Sequence, residues 1–326
     1  MMKRIMLVLV LSISLLAPGI GSANPNGVGA GEFDAQCGGA CHGDADMNRS
    51  SSAIITLSAP NDIYEGLLTS VTVRIESVET TESGMLGVFL LSGLSGSQDT
   101  PADAGWSIVS NSEGNAFNYL EIMVPSGRPT VEITWTLKAP PVGQYNLYGA
   151  VHHGTEDGSE APFYGVSPNP LSVSVVQVPE NLPRLSTSFE PDIQRDIGQP
   201  TTMVLTTEFV TGMNVEWRTS SEDIVTLQAT KNAENTWSFE LPASIQPGII
   251  EWRAIMAGDG PEQTTPWFQL RSDEPAWEVD NTLVYMQSFA MLFALMAGFM
   301  ALQKTLTRPE SKEDYGELMI PSGGEY

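Results

Sequence analysis

Apolar and polar positions alternate in short bursts along most of the chain. Thr69–Ser77 (TSVTVRIES) sets Val71, Val73 and Ile75 on one face, and Thr130–Leu137 (TVEITWTL) does the same with Val131, Ile133, Trp135 and Leu137. A period of two is the strand signature, since successive side chains point to opposite faces of a sheet. Further β-rich runs between turn residues fall at Ile54–Ala59, Gly84–Ser92, Trp106–Val109, Asn118–Val124, Gly143–His152 and Leu171–Val178. Pro179, Pro183 and Pro191 then punctuate a stretch with no hydrophobic period, which reads as a linker. A second set follows: Thr201–Thr207, Met213–Ser220, Ile224–Ala229, Thr236–Leu241, Gly248–Ala257 and Trp267–Arg271, with Trp217, Trp237 and Trp252 as expected core anchors. No stretch in 24–270 sustains a period of 3.6. Many short strands at regular spacing predict an all-β protein of two β-sandwiches.

Two longer apolar runs break this pattern. Near the N-terminus, Lys3 and Arg4 precede the apolar Ile5–Leu16, Pro18 and Gly19 interrupt it, and Gly21-Ser22-Ala23 offers a small-residue cleavage site. That order reads as a signal peptide over 1–23. Thr282 to Leu302 holds 21 residues without a charge, enough at 1.5 Å per residue to cross a hydrocarbon core of about 30 Å. Acidic residues (Asp273, Glu274, Glu278, Asp280) precede this expected transmembrane helix and Lys304 and Arg308 follow it. The positive flank stays cytoplasmic, so 24–281 is expected outside the cell membrane and the tail 303–326 inside. Tyr285 and Trp277 suit the outer interface, and Ala290, Ala294 and Gly298 set a small-residue face through which a homodimer is expected to pack. The domains read as a signal peptide 1–23, a first sandwich 24–178, a linker 179–191, a second sandwich 192–272, a span 282–302 and a tail 303–326.

Charge narrows the choice of partner. The 326 residues hold 15 Lys and Arg against 39 Asp and Glu, a net charge of −24. A chain so acidic lacks the basic footprint that nucleic acid requires, and its exterior suits a salty medium that screens self-repulsion. With 2 Cys and 3 His in all, disulfide-dense and multi-cluster metal scaffolds are excluded. No G-x-S-x-G, Walker loop or H-E-x-x-H occurs, so an enzyme is not expected.

One constellation carries chemistry. Both cysteines and a histidine fall in Cys37-Gly-Gly-Ala-Cys41-His42. The c-type haem signature is C-x-x-C-H: two thiols add to the porphyrin vinyl groups and the adjacent imidazole lies beneath the iron. Here three residues stand between the cysteines, and Gly38 and Gly39 are able to absorb the extra one through their backbone freedom. Three readings stay open. One is covalent haem with His42 as proximal ligand. The second is a Cys37–Cys41 disulfide, which closes so short a loop that it stabilises by only about 2 kcal/mol. The third is a metal held by Cys37, Cys41 and His42 with one further ligand. A haem needs a distal ligand as well. His152 and His153 are the remaining histidines, at the end of a strand where only one of two neighbours faces a given side; Met47 is a rival. Asn48-Arg49-Ser50 is an N-glycosylation sequon.

Two resemblances add to this reading. The stretches CGGACHGD (37–44), IITLSAPNDIYEGLLTSVTVRI (54–75) and ITWTLKAPPVGQYNLYGAVHHG (133–154) make residues 27–178 look like the Reeler-like extracellular domains of bacteria and archaea. In that family the cysteine–cysteine–histidine stretch is read as a c-type haem site. The resemblance therefore implies haem c on Cys37, Cys41 and His42. VEWRTS (215–220), NTWSFELPA (235–243) and IIEWRAIMAGDGPEQTTP (249–266) resemble an immunoglobulin or fibronectin type III sandwich, which implies a fold and no particular role. The expectation is a single-pass surface protein whose outer sandwich binds haem for electron transfer or redox and ligand sensing, meeting an extracellular redox partner or a cell-surface protein. The alternative is an adhesive or structural surface protein with a Cys37–Cys41 disulfide and no cofactor.

Overall fold

The computed structural model describes residues 30–35, 49–78, 84–124, 130–153, 163–219, 223–275 and 281–306. The expected signal peptide, Cys37, Cys41, His42, Met47, Asn48 and residues 307–326 of the tail lie outside the described residues.

The alternating runs form strands close to where the pattern sets them. Leu68–Glu76 and Thr130–Lys138 pair antiparallel over nine positions, Val73 opposite Ile133 and Val71 opposite Trp135. Ile54–Ser58 and Ser107–Asn111 flank them in a four-stranded sheet. Facing it is a seven-stranded sheet built around one long strand, Gly143–His153. Along one edge that strand pairs with Phe163–Val166 and then Leu171–Val176; along the other it pairs with Met85–Leu91, which carries Tyr119–Met123 beyond it. Arg49–Ser50 and Ile63–Tyr64 add two-residue parallel edges. The expected inward faces, Val71, Val73, Ile75 and Val131, Ile133, Trp135, Leu137, meet Val88, Leu147, Val151 and Val173 in one core.

The second set closes around its own core. A four-stranded sheet runs Arg184–Leu185, Thr201–Glu208, Thr236–Leu241, Thr230–Ala233. It packs on a six-stranded sheet centred on Gly248–Ala257, with Gly212–Arg218 on one side and Phe268–Asp273 on the other. Trp252 is fully buried between Phe268 and Phe239, ring centroids 4.6 and 5.1 Å away. Trp237 is buried as expected, while Trp217 packs only partly buried at the margin. The segment 179–191 is more than a linker: Leu182 and Leu185 are buried, and Arg184–Leu185 forms a short strand against Thr207–Glu208. Its prolines hid this role, because two residues carry no period.

Polar contacts join the two cores. Ser110 Oγ donates to Gln269 Oε1 at 2.7 Å, both buried, and Thr136 Oγ1 donates to the carbonyl of Trp267 at 3.1 Å. This explains why Thr136 is buried on the face that alternation assigns to solvent. Trp267 itself packs on the guanidinium groups of Arg218 and Arg253, 4.3 and 4.4 Å from its ring centre. Each arginine also binds a glutamate across the strand pair, Glu251 and Glu216 at 2.6 and 2.7 Å. Two of the ten basic residues in 24–281 are thus held beside Trp267. The described residues up to Glu274 form one compact unit.

Separately, Asn281–Leu306 is a helix, four residues longer at its C-terminal end than the apolar run. Thr282–Lys304 within it is long and apolar enough to cross a bilayer, about 35 Å at 1.5 Å per residue. Ser288 Oγ satisfies itself on the Val284 carbonyl one turn back, at 2.8 Å, so it asks for no partner in an apolar medium.

Candidate functional site

The described flanks of the cysteine segment both reach the end of the central strand Gly143–His153. On the near side, the chain bridges Gly31 to Tyr119 in both directions, at 3.2 and 3.1 Å. Asn118 then clamps Phe33 by accepting from its amide at 2.9 Å and donating to its carbonyl at 2.8 Å. Asp34 Oδ1 takes the amide of Asp99 at 2.8 Å. Ala35, two residues before Cys37, packs in an outer cluster with Phe89, Leu91, Tyr119 and Ala150. On the far side, Arg49 and Ser50 pair with Phe163 and Tyr164, whose strand pairs in turn with His153 and His152. Ala35 and Arg49 are therefore held on one sheet, Ala35 over Ala150 and Arg49 against the strand that pairs with the two histidines.

The two histidines are not the solvated strand-end residues that their position suggests. Both are buried, 5% and 3% exposed, because strands flank them on both sides: Gly87 and Tyr164 stand beside His152, Leu86 and Phe163 beside His153. They divide as the strand period demands. His153 shares the face of Val151 and Leu147, which belong to the inter-sheet core. Its Nε2 lies 2.9 Å from Ser51 Oγ and its ring stacks on Phe163 at 5.1 Å and 13°. Gly165 makes this contact reachable: a Cβ there would meet Ser51 Cβ at 2.8 Å. His152 shares the face of Ala150 and Tyr148, the outer cluster under the lead-in.

The outer face is aromatic. Phe33 and Phe89 pack on Tyr119 with centroids 5.2 and 4.4 Å apart. The Tyr119 phenol crosses over Gly87, where a Cβ would meet its oxygen at 2.4 Å, and donates to Glu121 Oε1 at 2.7 Å. Tyr164 lies on the same face. Burial, with the Asp99 carboxylate adding to it, pushes its phenol up to about 12 from the ordinary 10.0. The folded chain thus favours the neutral phenol, and the unfolded chain ionises first as pH climbs. The stability tied to this group is whole below pH 10 and drains away between pH 10 and 12. Tyr164→Phe is expected to flatten that alkaline decline, read as the urea midpoint against pH; an unchanged slope would show that Tyr164 does not drive it.

For a haem, the described residues divide. His152 fits as a ligand: it shares a sheet face with Phe89, Tyr119, Tyr148 and Tyr164, and both flanks of the cysteine segment are held on that sheet. His153 does not fit, because ligation from the inner face would break its contact with Ser51 and open the core. Among the described residues, no three His, Cys, Asp or Glu converge to hold a metal ion. Sequence reasoning missed Ser51, Gly87, Tyr119 and the strand Phe163–Val166. The period that separates His152 from His153 was the available signal, and FYGV was too short to read as a strand beside the acidic run before it.

No protein-family model and no curated protein matches the chain. Among solved structures, the crystal structure of dimeric latent PorU from Porphyromonas gingivalis aligns over 70% of this chain and 21% of its own, at 8% identity and a TM-score of 0.27. A likeness that low carries no argument about function.

Proposed function

We propose that the chain is a single-pass cell-surface protein whose Reeler-like first sandwich carries a covalent c-type haem on its outer sheet face. Cys37 and Cys41 attach it, His42 is the proximal ligand and His152 the distal one. The immunoglobulin-like second sandwich is the spacer, and the helix is the anchor, with the acidic sandwiches outside. The observation that carries this reading is the convergence just described: Ala35 and Arg49, on either side of the cysteine segment, are both held on the sheet that bears His152. A haem in that position supplies one-electron exchange or ligand binding at iron. The chain's own part is to orient His152 by strand pairing and to keep water from the face with Phe33, Phe89 and Tyr148.

The test is the full chain, expressed in a host competent for cytochrome c maturation and purified in detergent. A Soret band that survives acid–acetone extraction and an intact mass greater by one haem are expected. A colourless protein with Cys37 and Cys41 paired would replace this reading with the adhesive or structural one.

A further inference from the structure

The end of the second sandwich from which the chain leaves has an unusual surface. The last strand, Phe268–Asp273, ends beside Gly248, which pairs with Ser272. Two turns flank this exit. Residues 197–200 (Ile-Gly-Gln-Pro) lead into the strand that starts at Thr201, and residues 242–247 (Pro-Ala-Ser-Ile-Gln-Pro) lead into the strand that starts at Gly248. They are tied to each other and to the exit: Gly198 donates its amide to the Ser244 carbonyl at 2.7 Å, and Ile197 to the Asp273 carbonyl at 3.0 Å.

These ten residues carry no charge in a chain of net charge −24. Pro200, Pro242, Ala243 and Pro247 are exposed, and Ile245 at the tip is 92% exposed, more than any other described large hydrophobic residue. A single exposed isoleucine means little. This one stands on an uncharged cap, and the cap stands where the chain departs for its apolar helix. Only residues 274–281 separate Asp273 from Thr282, a reach of at most about 30 Å when fully extended.

We propose that this cap is a lipid-contacting foot, with Ile245 entering the interfacial region of the outer leaflet. The inference rests on reading Thr282–Lys304 as a membrane span. Its partner is a zwitterionic or uncharged headgroup layer: Asp196 pairs with Asp273 at the exit, and Glu113, Glu121 and Asp273 outnumber Arg271 in the hollow beside Pro247, so the surroundings repel anionic lipid. The contact is shallow, limited to the tip of the turn.

The experiment places p-benzoylphenylalanine, one site at a time, at Ile245, Met286 and Phe209 of the full chain in phosphatidylcholine nanodiscs. Met286 lies within the helix; Phe209 is exposed just beyond the far end of the Thr201–Glu208 strand. After irradiation, mass spectrometry is expected to find phospholipid adducts at 245 and 286 and none at 209. Adduct at 286 with none at 245 would overturn the foot and leave the span standing. Equal adduct at 245 and 209 would overturn it as non-specific contact. No adduct at 286 would overturn the span, and the foot with it.

Discussion

Cys41→Ala and His42→Ala are each expected to abolish covalent haem loading, and His152→Ala to leave loading intact while changing the Soret and visible bands. The three outcomes separate attachment from ligation. Removing a thiol removes a thioether bond, and removing the proximal imidazole removes the ligand that holds the iron during attachment. His152 stands on the outer face and takes no part in attachment, so its loss exposes the distal position alone. His153→Ala serves as the control. Its Nε2 contacts Ser51 and its ring stacks on Phe163 inside the core, so it should cost about 1–3 kcal/mol of stability and leave the spectrum where it was. Normal loading in both motif variants would remove the motif from consideration, and a His153→Ala spectrum like that of His152→Ala would reverse the assignment of faces.

Trp252→Ala is expected to be the most damaging single change in the second sandwich. The side chain is fully buried, and Phe189, Phe239 and Phe268 all touch it edge-on or tilted. No smaller group fills the space between two sheets, so the cost is about 3–5 kcal/mol. In urea this lowers the midpoint by about 1–2 M for a chain of this size. A fall of only a few tenths would mean that the phenylalanines close over the gap, and the core would then be softer than its geometry implies.

The same residues show what the sequence made legible. Long strands with one wet face announced themselves: Leu68–Glu76, Thr130–Lys138, Thr236–Leu241 and Gly248–Ala257 lie within a residue of their expected bounds. The apolar run at 282–302 was equally plain, since composition alone decides whether a helix tolerates lipid. What stayed hidden depends on partners far away in sequence. Thr136 looked solvent-facing, and Ser110 fell beyond the expected strand Trp106–Val109, because nothing local shows that Trp267 and Gln269 cover them. His152 and His153 looked solvated because Phe163–Val166, which buries them, is four residues long. Leu182 and Leu185 hid behind prolines. At the site, the chemistry of Cys37, Cys41 and His42 could be read directly, but the choice between the two later histidines required knowing which side of the sheet each one occupies.

The seam through Ser110, Gln269, Thr136 and Trp267 has a kinetic corollary. Residues far apart in sequence share buried bonds across it, so the two sandwiches should tumble as a single body with no elbow between them. Any reactive group on the first sheet would keep a constant distance to the base of the second sandwich. If a haem is bound there, an electron exchanged at it would have to wait for a visiting donor or acceptor to dock, because the two sandwiches have no swing between them with which to carry it to a partner.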